Sequence, residues 1–374
     1  MIYLDCAATT LQKPIAVSNA AAQSINHFAS PGRGGHRPAI EAGEVVYRCR
    51  EEAAKLFDVP NPEQVVFTFN ATHGLNLAIK SLVKPGAVVL ISGYEHNAVT
   101  RPLAAIPNVE IRCVRESLFD QKAFLERFEQ EISCKVDVVV CTHVSNVFGY
   151  ILPIQEIAKL CREHSVPLII DASQSAGVLP ISLKASGASF IAMPGHKGLY
   201  GPQGTGILLC NCECPETLIE GGTGSLSRRQ TMPEFLPDRL EAGTHNVPGI
   251  AGLLEGIKFV RKTGVDTIFL HEEKLICYAA KRLRERDDIT VFADEKSRCQ
   301  SGVCSFVSDG MDCETVGNLL GERGIAVRAG LHCAPCAHQT VRTLESGTVR
   351  ISVSLFNDLR EIDCFVDSLF EILK

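Results

Sequence analysis

From about residue 64 to 210 the chain alternates short apolar runs with stretches whose apolar residues recur at helical spacing. The runs at 64–69, 87–92, 109–114, 136–141, 166–171 and 190–193 predict strands, and 72–82 predicts one of the helices between them. Apolar strands separated by helices are buried on both faces, so the pattern predicts a mostly parallel sheet covered by helices. Residues 40–57 place apolar side chains at helical spacing among many charges, which predicts a helix packed on that sheet. After about residue 250 the texture changes to a long helical stretch at 250–286, short strands near 290–292, 303–307 and 325–328, and a last helix from Asp358. That pattern predicts a large domain at 15–250 and a smaller α+β domain made from 1–14 and 251–374. The Gly-rich polar stretch at 221–237 reads as a functional loop.

Composition removes several classes of function. The chain has 374 residues, 45% hydrophobic, enough to bury a large core, and its formal charge is −6 with Lys and Arg dispersed. Nucleic-acid binding needs a basic footprint, so it is not expected. No apolar stretch reaches the ~18 residues of a membrane span and the N-terminus carries no export signal, so a cytoplasmic protein is expected. Sixteen cysteines scattered along such a chain are expected to be thiols. Cys210, Cys212 and Cys214 alternate along the chain, and Cys333 and Cys336 form a second group; neither has the spacing of a paired ligand set, so no metal site is expected.

The chemistry gathers at the ends of the predicted strands. One apolar run ends in Asp171, and another is followed four residues later by Lys197, in the segment MPGHKGLYGPQGTG. Open α/β sheets place their ligands at such strand ends. A lysine held there can form a Schiff base with pyridoxal phosphate, and a carboxylate can keep the pyridine nitrogen protonated. Taken singly, the lysine reads equally as a surface residue and the aspartate as a helix cap. Asn70-Ala-Thr-His-Gly74 sits where a strand gives way to a helix, making Thr72 and His73 phosphate candidates. His96 ends another strand and suits stacking on a planar ring, although a loop histidine would look the same. Asn146 and Gln174 offer amides at two further strand ends. Gly201–Gly206 precedes a strand and not a helix, which excludes a dinucleotide fingerprint.

Ten ordered motifs then carry a family resemblance: YLDCAAT at 3–9, RGGH at 33–36, NATHGLNLAI at 70–79, EHNA at 95–98, HVSNVFG at 143–149, DASQS at 171–175, GHKGLYGPQGTG at 195–206, EAGTHN at 241–246, RAGLHCA at 328–334 and VRISVSLFN at 349–357. Over nearly its whole length the chain resembles the class V aminotransferase fold group of pyridoxal-phosphate enzymes, in particular the group II cysteine desulfurases and selenocysteine lyases. The resemblance implies the PLP-transferase fold type I, an α/β fold with a mostly parallel seven-stranded sheet covered by helices and a smaller α+β domain. It implies pyridoxal 5'-phosphate as cofactor, with Lys197 as the Schiff-base lysine, Asp171 on the pyridine nitrogen and His96 stacked on the ring as a catalytic residue that shuttles protons. Asn146 and Gln174 would lie near the ring hydroxyl, and Thr72, His73 and His196 at the phosphate, with Thr244 donated by the other subunit of a homodimer. It places Arg350 on the substrate carboxylate, Arg328, His36 and Asn146 near the substrate, and Cys333 where the family keeps its nucleophile.

The implied activity is release of alanine from cysteine or selenocysteine, with a persulfide formed on Cys333 and passed to a sulfur-acceptor protein. Cationic neighbours such as His332 or the nearby arginines would favour the Cys333 thiolate. Two departures stand out: Pro194 replaces a phosphate-binding serine, and the loop at 222–235 is shorter than the hairpin of group II desulfurases. Cys336 reads either as a relay for sulfur or as an inert neighbour. A transaminase or another lyase would keep Lys197 and Asp171 without needing Cys333, and a sulfur-carrying scaffold would need only the thiols.

Overall fold

The computed structural model describes residues 1–32, 34–296 and 299–374. A two-residue strand, β1 (Ile2–Tyr3), and two helices, α1 (Ile15–His27) and α2 (Arg37–Leu56), precede the main sheet. That sheet is built from β2 (Val65–Thr68), β3 (Val88–Ser92), β4 (Glu110–Val114), β5 (Val138–Thr142), β6 (Leu168–Asp171), β7 (Phe190–Pro194) and β8 (Gly206–Cys210). Between its strands run α3 (Ala71–Leu82), α4 (Asn97–Ala104), α5 (Gln121–Ile132), α6 (Ile154–Glu163) and the short α7 (Leu183–Ser186).

The spatial order is β2-β8-β7-β6-β5-β3-β4, parallel from β7 to β4, with β8 antiparallel to both its neighbours. Every residue of β3, β5, β6 and β7 is buried, as continuous apolar runs require. At the edge, β4 exposes Glu110, a charge that discourages further pairing. Asn70 caps α3 by accepting a hydrogen bond from the His73 N–H at 2.9 Å.

The helical stretch after residue 246 is two helices, α8 (Val247–Thr263) and α9 (Val265–Leu283). They are separated at Gly264, whose φ of 88° suits glycine and breaks the helix that periodicity alone reads as continuous. α8 runs across residue 250, and its Leu253, Leu254 and Ile257 lie in the core of the large sheet. Beyond it come β9 (Ile289–Phe292), β10 (Val303–Ser308), α10 (Cys313–Glu322), β11 (Ile325–Ala326), β12 (Arg328–Gly330), α11 (Pro335–Val341), β13 (Thr348–Ser352) and α12 (Leu359–Ile372). The run read as one strand at 325–328 is divided. β11 pairs with β1, while β12 joins an antiparallel sheet of order β12-β13-β10-β9. Leu4 packs with Ile276, Phe306, Ile351 and Phe365, tying the N-terminus into this second core. Arg33, the first residue of the RGGH motif, lies outside the described residues. Among the described residues no helix is long and apolar enough to cross a membrane.

Candidate active site

A cavity of about 250 Å³ opens at the carboxyl ends of β3, β5, β6 and β7. It brings together Thr72, His96, Asn146, Asp171, Gln174, His196, Lys197, Arg328, Cys333 and Arg350. Three expected residues stand outside this cavity, and two of them, His73 and Thr244, line a separate cleft with Phe67 and Glu241. His36 is exposed at the start of α2 and lines neither cleft.

The sheet wall of the cavity is rigid by construction. Asp171 ends β6, is buried, and accepts a hydrogen bond from the Ser173 backbone N–H at 2.9 Å and another from its hydroxyl. Lys197 follows β7 and is half-buried, and burial pushes its ammonium down to about 8, opposed by Asp171 and reinforced by Arg350. The lysine turn packs close to another segment: a Cβ at Gly198 would stand 2.5 Å from the Ala176 carbonyl oxygen. Thr10 and Lys13 hold the same turn from the N-terminal segment, each hydrogen-bonding the His196 carbonyl. Burial pushes the His196 imidazole down to about 4, and its buried Nδ1 has no partner among the described residues.

His96 caps α4 through Nδ1, which accepts from the Ala98 N–H at 2.9 Å. A neutral ring therefore carries its proton on Nε2, and burial lowers the imidazole's pKa. Behind it, Glu95 Oε1 accepts from the Ser92 hydroxyl at 2.5 Å and the Thr142 N–H at 2.8 Å. Its Oε2 has no partner among the described residues, and burial pushes this carboxyl up to about 8.

The opposite wall comes from the second sheet and the N-terminus. Arg350, on β13, is buried; its Nη1 donates to the Asn146 carbonyl at 3.0 Å and its Nη2 to Asp5 at 2.8 Å, while Nε has no partner among the described residues. Asn146 in turn donates its amide to the His332 carbonyl at 2.8 Å, and Gln174 donates to the Ala7 carbonyl at 3.0 Å. His332 and Cys333 both adopt left-handed backbone, with φ of 50° and 56°, which turns the exposed Cys333 into the cavity mouth.

His332 is not the cation that the sequence suggests beside Cys333. It is buried, with Nε2 3.1 Å from Thr348, and burial together with Arg350 pushes its imidazole down to about 2. Arg328 lines the same cavity as Cys333. Cys336 packs its sulfur 3.7 Å from that of Cys113. Asp5, Lys13 and Glu95 also belong to the site or its support, and no sequence pattern singles them out. Asp5 and Glu95 lie within quoted motifs, but nothing local to either shows the partner it meets.

The class-V aminotransferase family model matches residues 2–365. A Shigella sonnei protein named cysteine desulfurase is 33% identical, with all of this chain and 93% of that protein covered. A probable cysteine desulfurase of Mycolicibacterium paratuberculosis is 31% identical over the whole of this chain, which spans 56% of that longer protein. The solved apo structure of a cysteine desulfurase from Thermococcus onnurineus superposes with a TM-score of 0.91 at 29% identity, covering 99% of this chain and 94% of that one.

Proposed function

The chain belongs to the class-V aminotransferase family, and on that premise we propose that it is a pyridoxal-phosphate-dependent cysteine desulfurase, releasing alanine from L-cysteine and leaving a persulfide on Cys333. The observation that carries this reading is one cavity with Lys197 and Asp171 on one wall and Cys333 and Arg350 on the other. When bound, pyridoxal phosphate supplies an aldehyde that condenses with amines and a ring that draws electrons from the bond being broken.

The residues present fit that group. Asp171 is a buried carboxylate for the ring nitrogen, His96 presents its ring to the cavity, and Asn146 and Gln174 stand at adjoining strand ends. The unpaired Nδ1 of His196 and the start of α3 at Thr72 suit a phosphate. Thr244 lines the separate cleft of its own chain, so we assign its phosphate contact to a second copy in a homodimer. His73 faces the same separate cleft as Thr244.

Each step of the reaction falls to a group of this chain. The lowered pKa of Lys197 keeps a fraction of neutral amine near pH 7, able to take the substrate's α-proton. Arg350 orients the substrate through its carboxylate, a task suited to the planar guanidinium fork. Cys333, as thiolate, attacks the substrate sulfur. A sulfur–sulfur bond forms, the Cβ–S bond breaks, and Cβ takes up the proton that Cys333 gave up, shuttled by His96, to become the methyl group of alanine. The exposed position of Cys333 leaves the persulfide open to a sulfur-acceptor protein, and a reducing cytoplasm suits such a thiol.

Incubating the cofactor-loaded protein with cysteine and with selenocysteine, and measuring alanine, tests the reading. We expect alanine from cysteine in the wild type and almost none from Cys333→Ala. Selenocysteine should still react in that variant, because selenium leaves more readily. Absence of alanine from either substrate would contradict the proposal, and keto-acid consumption in its place would identify a transaminase.

A further inference from the structure

Asp5, in the YLDCAAT segment, has no task in the mechanism above, yet it meets both arginines of the substrate wall. Arg328 and Arg350 are direct cross-strand partners on β12 and β13, a like-charge pair that is unfavourable unless a counter-charge sits between them. Asp5 supplies that charge. Its Oδ1 accepts from Arg350 Nη2 at 2.8 Å, and its Oδ2 from Arg328 Nε at 3.0 Å and Nη2 at 2.8 Å.

The backbone holds the carboxylate there through a bridge between Asp5 and Ser352. Arg350 is buried and needs such a partner, whereas the Arg328 side chain is 50% exposed and could stand without one. Asp5 nevertheless takes the Nε–Nη2 edge of Arg328, the edge that a carboxylate ligand grips in bidentate fashion. Two guanidiniums and one carboxylate leave one positive charge uncompensated. Deeper in the cavity, Lys197 and Asp171 offset each other.

We propose that Asp5 determines substrate class: it is a resident carboxylate that occupies the Arg328 edge and cancels one of the two guanidinium charges. The cavity then accepts amino acids with a single carboxylate and rejects dicarboxylic ones. This rests on the desulfurase reading only for the statement that the ligand is an amino acid. Removing Asp5 frees Arg328 Nε and Nη2 and Arg350 Nη2, vacates the space of one carboxylate, and leaves two positive charges facing the ligand.

The test is calorimetric binding of L-alanine and L-aspartate to the cofactor-loaded enzyme, in the wild type, Asp5→Ala, Asp5→Asn and the double variant Asp5→Ala/Arg328→Gln. The wild type should prefer alanine. Asp5→Ala should shift the alanine-to-aspartate affinity ratio toward aspartate by about tenfold or more. Asp5→Asn, which keeps the side-chain volume, should shift it less but in the same direction, and it decides the matter if Asp5→Ala does not fold. The double variant should return the ratio toward that of the wild type, which loss of a structural brace would not do. Equal losses of both affinities in the single variants, with the ratio unchanged, would overturn the proposal. Alanine release from cysteine by the wild type is read separately. An inactive wild type whose variants still shift the ratio sinks the desulfurase reading and keeps this one; an active wild type with an unmoved ratio does the reverse.

Discussion

Lys197 and Asp171 follow or end two adjacent parallel strands, paired in register through Asp171 and Ala192. Cys333 and Arg350, across the cavity, reach their places through left-handed backbone, an antiparallel register and a tie to the N-terminus 345 residues away. The first wall is fixed by the core of the sheet itself, so the polar groups at its rim inherit the rigidity of the strands. In the second wall β13 is likewise buried and paired on both edges, but the groups that reach the cavity from it and from the loop before α11 are set by polar contacts. Arg350 leans on Asn146 and Asp5, and the chain entering Cys333 leans on the Asn146 amide. The contrast suggests a division of labour in which the sheet edge holds the reactive group and the second wall selects what approaches it.

The largest effect should come from setting one substitution on each wall against the other. Lys197→Ala should lower kcat for alanine release by about three orders of magnitude, the scale of losing a positioned general base. Arg350→Lys keeps the charge but loses the fork, and should lower kcat/KM by about a hundredfold, chiefly through KM. Steady-state kinetics on both variants checks this, and a kcat effect of equal size in both would erase the distinction between the walls.

A smaller effect should appear in the support beneath the sheet wall. Burial raises the Glu95 carboxyl to about 8, so the folded protein retains a proton that the unfolded chain gives up near pH 4. The stabilisation is therefore complete below that unfolded value and is lost as pH rises through about 8. Glu95→Gln removes this dependence. Its melting temperature relative to the wild type should improve by about 2 °C or more between pH 5 and pH 8. A difference that stays flat, or runs the other way, would show that Glu95 is charged in the folded state.

The two walls also differ in how far the sequence exposes them. Asp171 and Lys197 come at the ends of apolar runs, and burial on both faces leaves such runs little choice but to be strands of a sheet. β8 was announced only by the glycines before it, and its antiparallel direction depends on pairing with β2 and β7, which no local signal records. Nor does the chain show that 325–330 divides between two sheets, because that division depends on β1 and β13. Cys333 and Arg350 were named through family motifs, not periodicity. The neutrality of His332 follows from Arg350 and burial, both long-range facts. Asp5 stood in a quoted motif, but its role depends on two arginines more than 300 residues away. Thr244 lies on a second cleft, in a segment anchored at Glu241 by the buried ion pair with Arg50, and His73 meets the same cleft with its ring stacked on Phe69.

The most direct test of the account is peptide mass spectrometry of the cofactor-loaded protein after brief exposure to L-cysteine and removal of the excess. The account predicts a gain of one sulfur atom on the peptide containing Cys333, reversed by a thiol reductant and absent from Lys197→Ala. Alanine formed with no sulfur on Cys333, or with the added sulfur on Cys336 alone in the earliest sample, would contradict it.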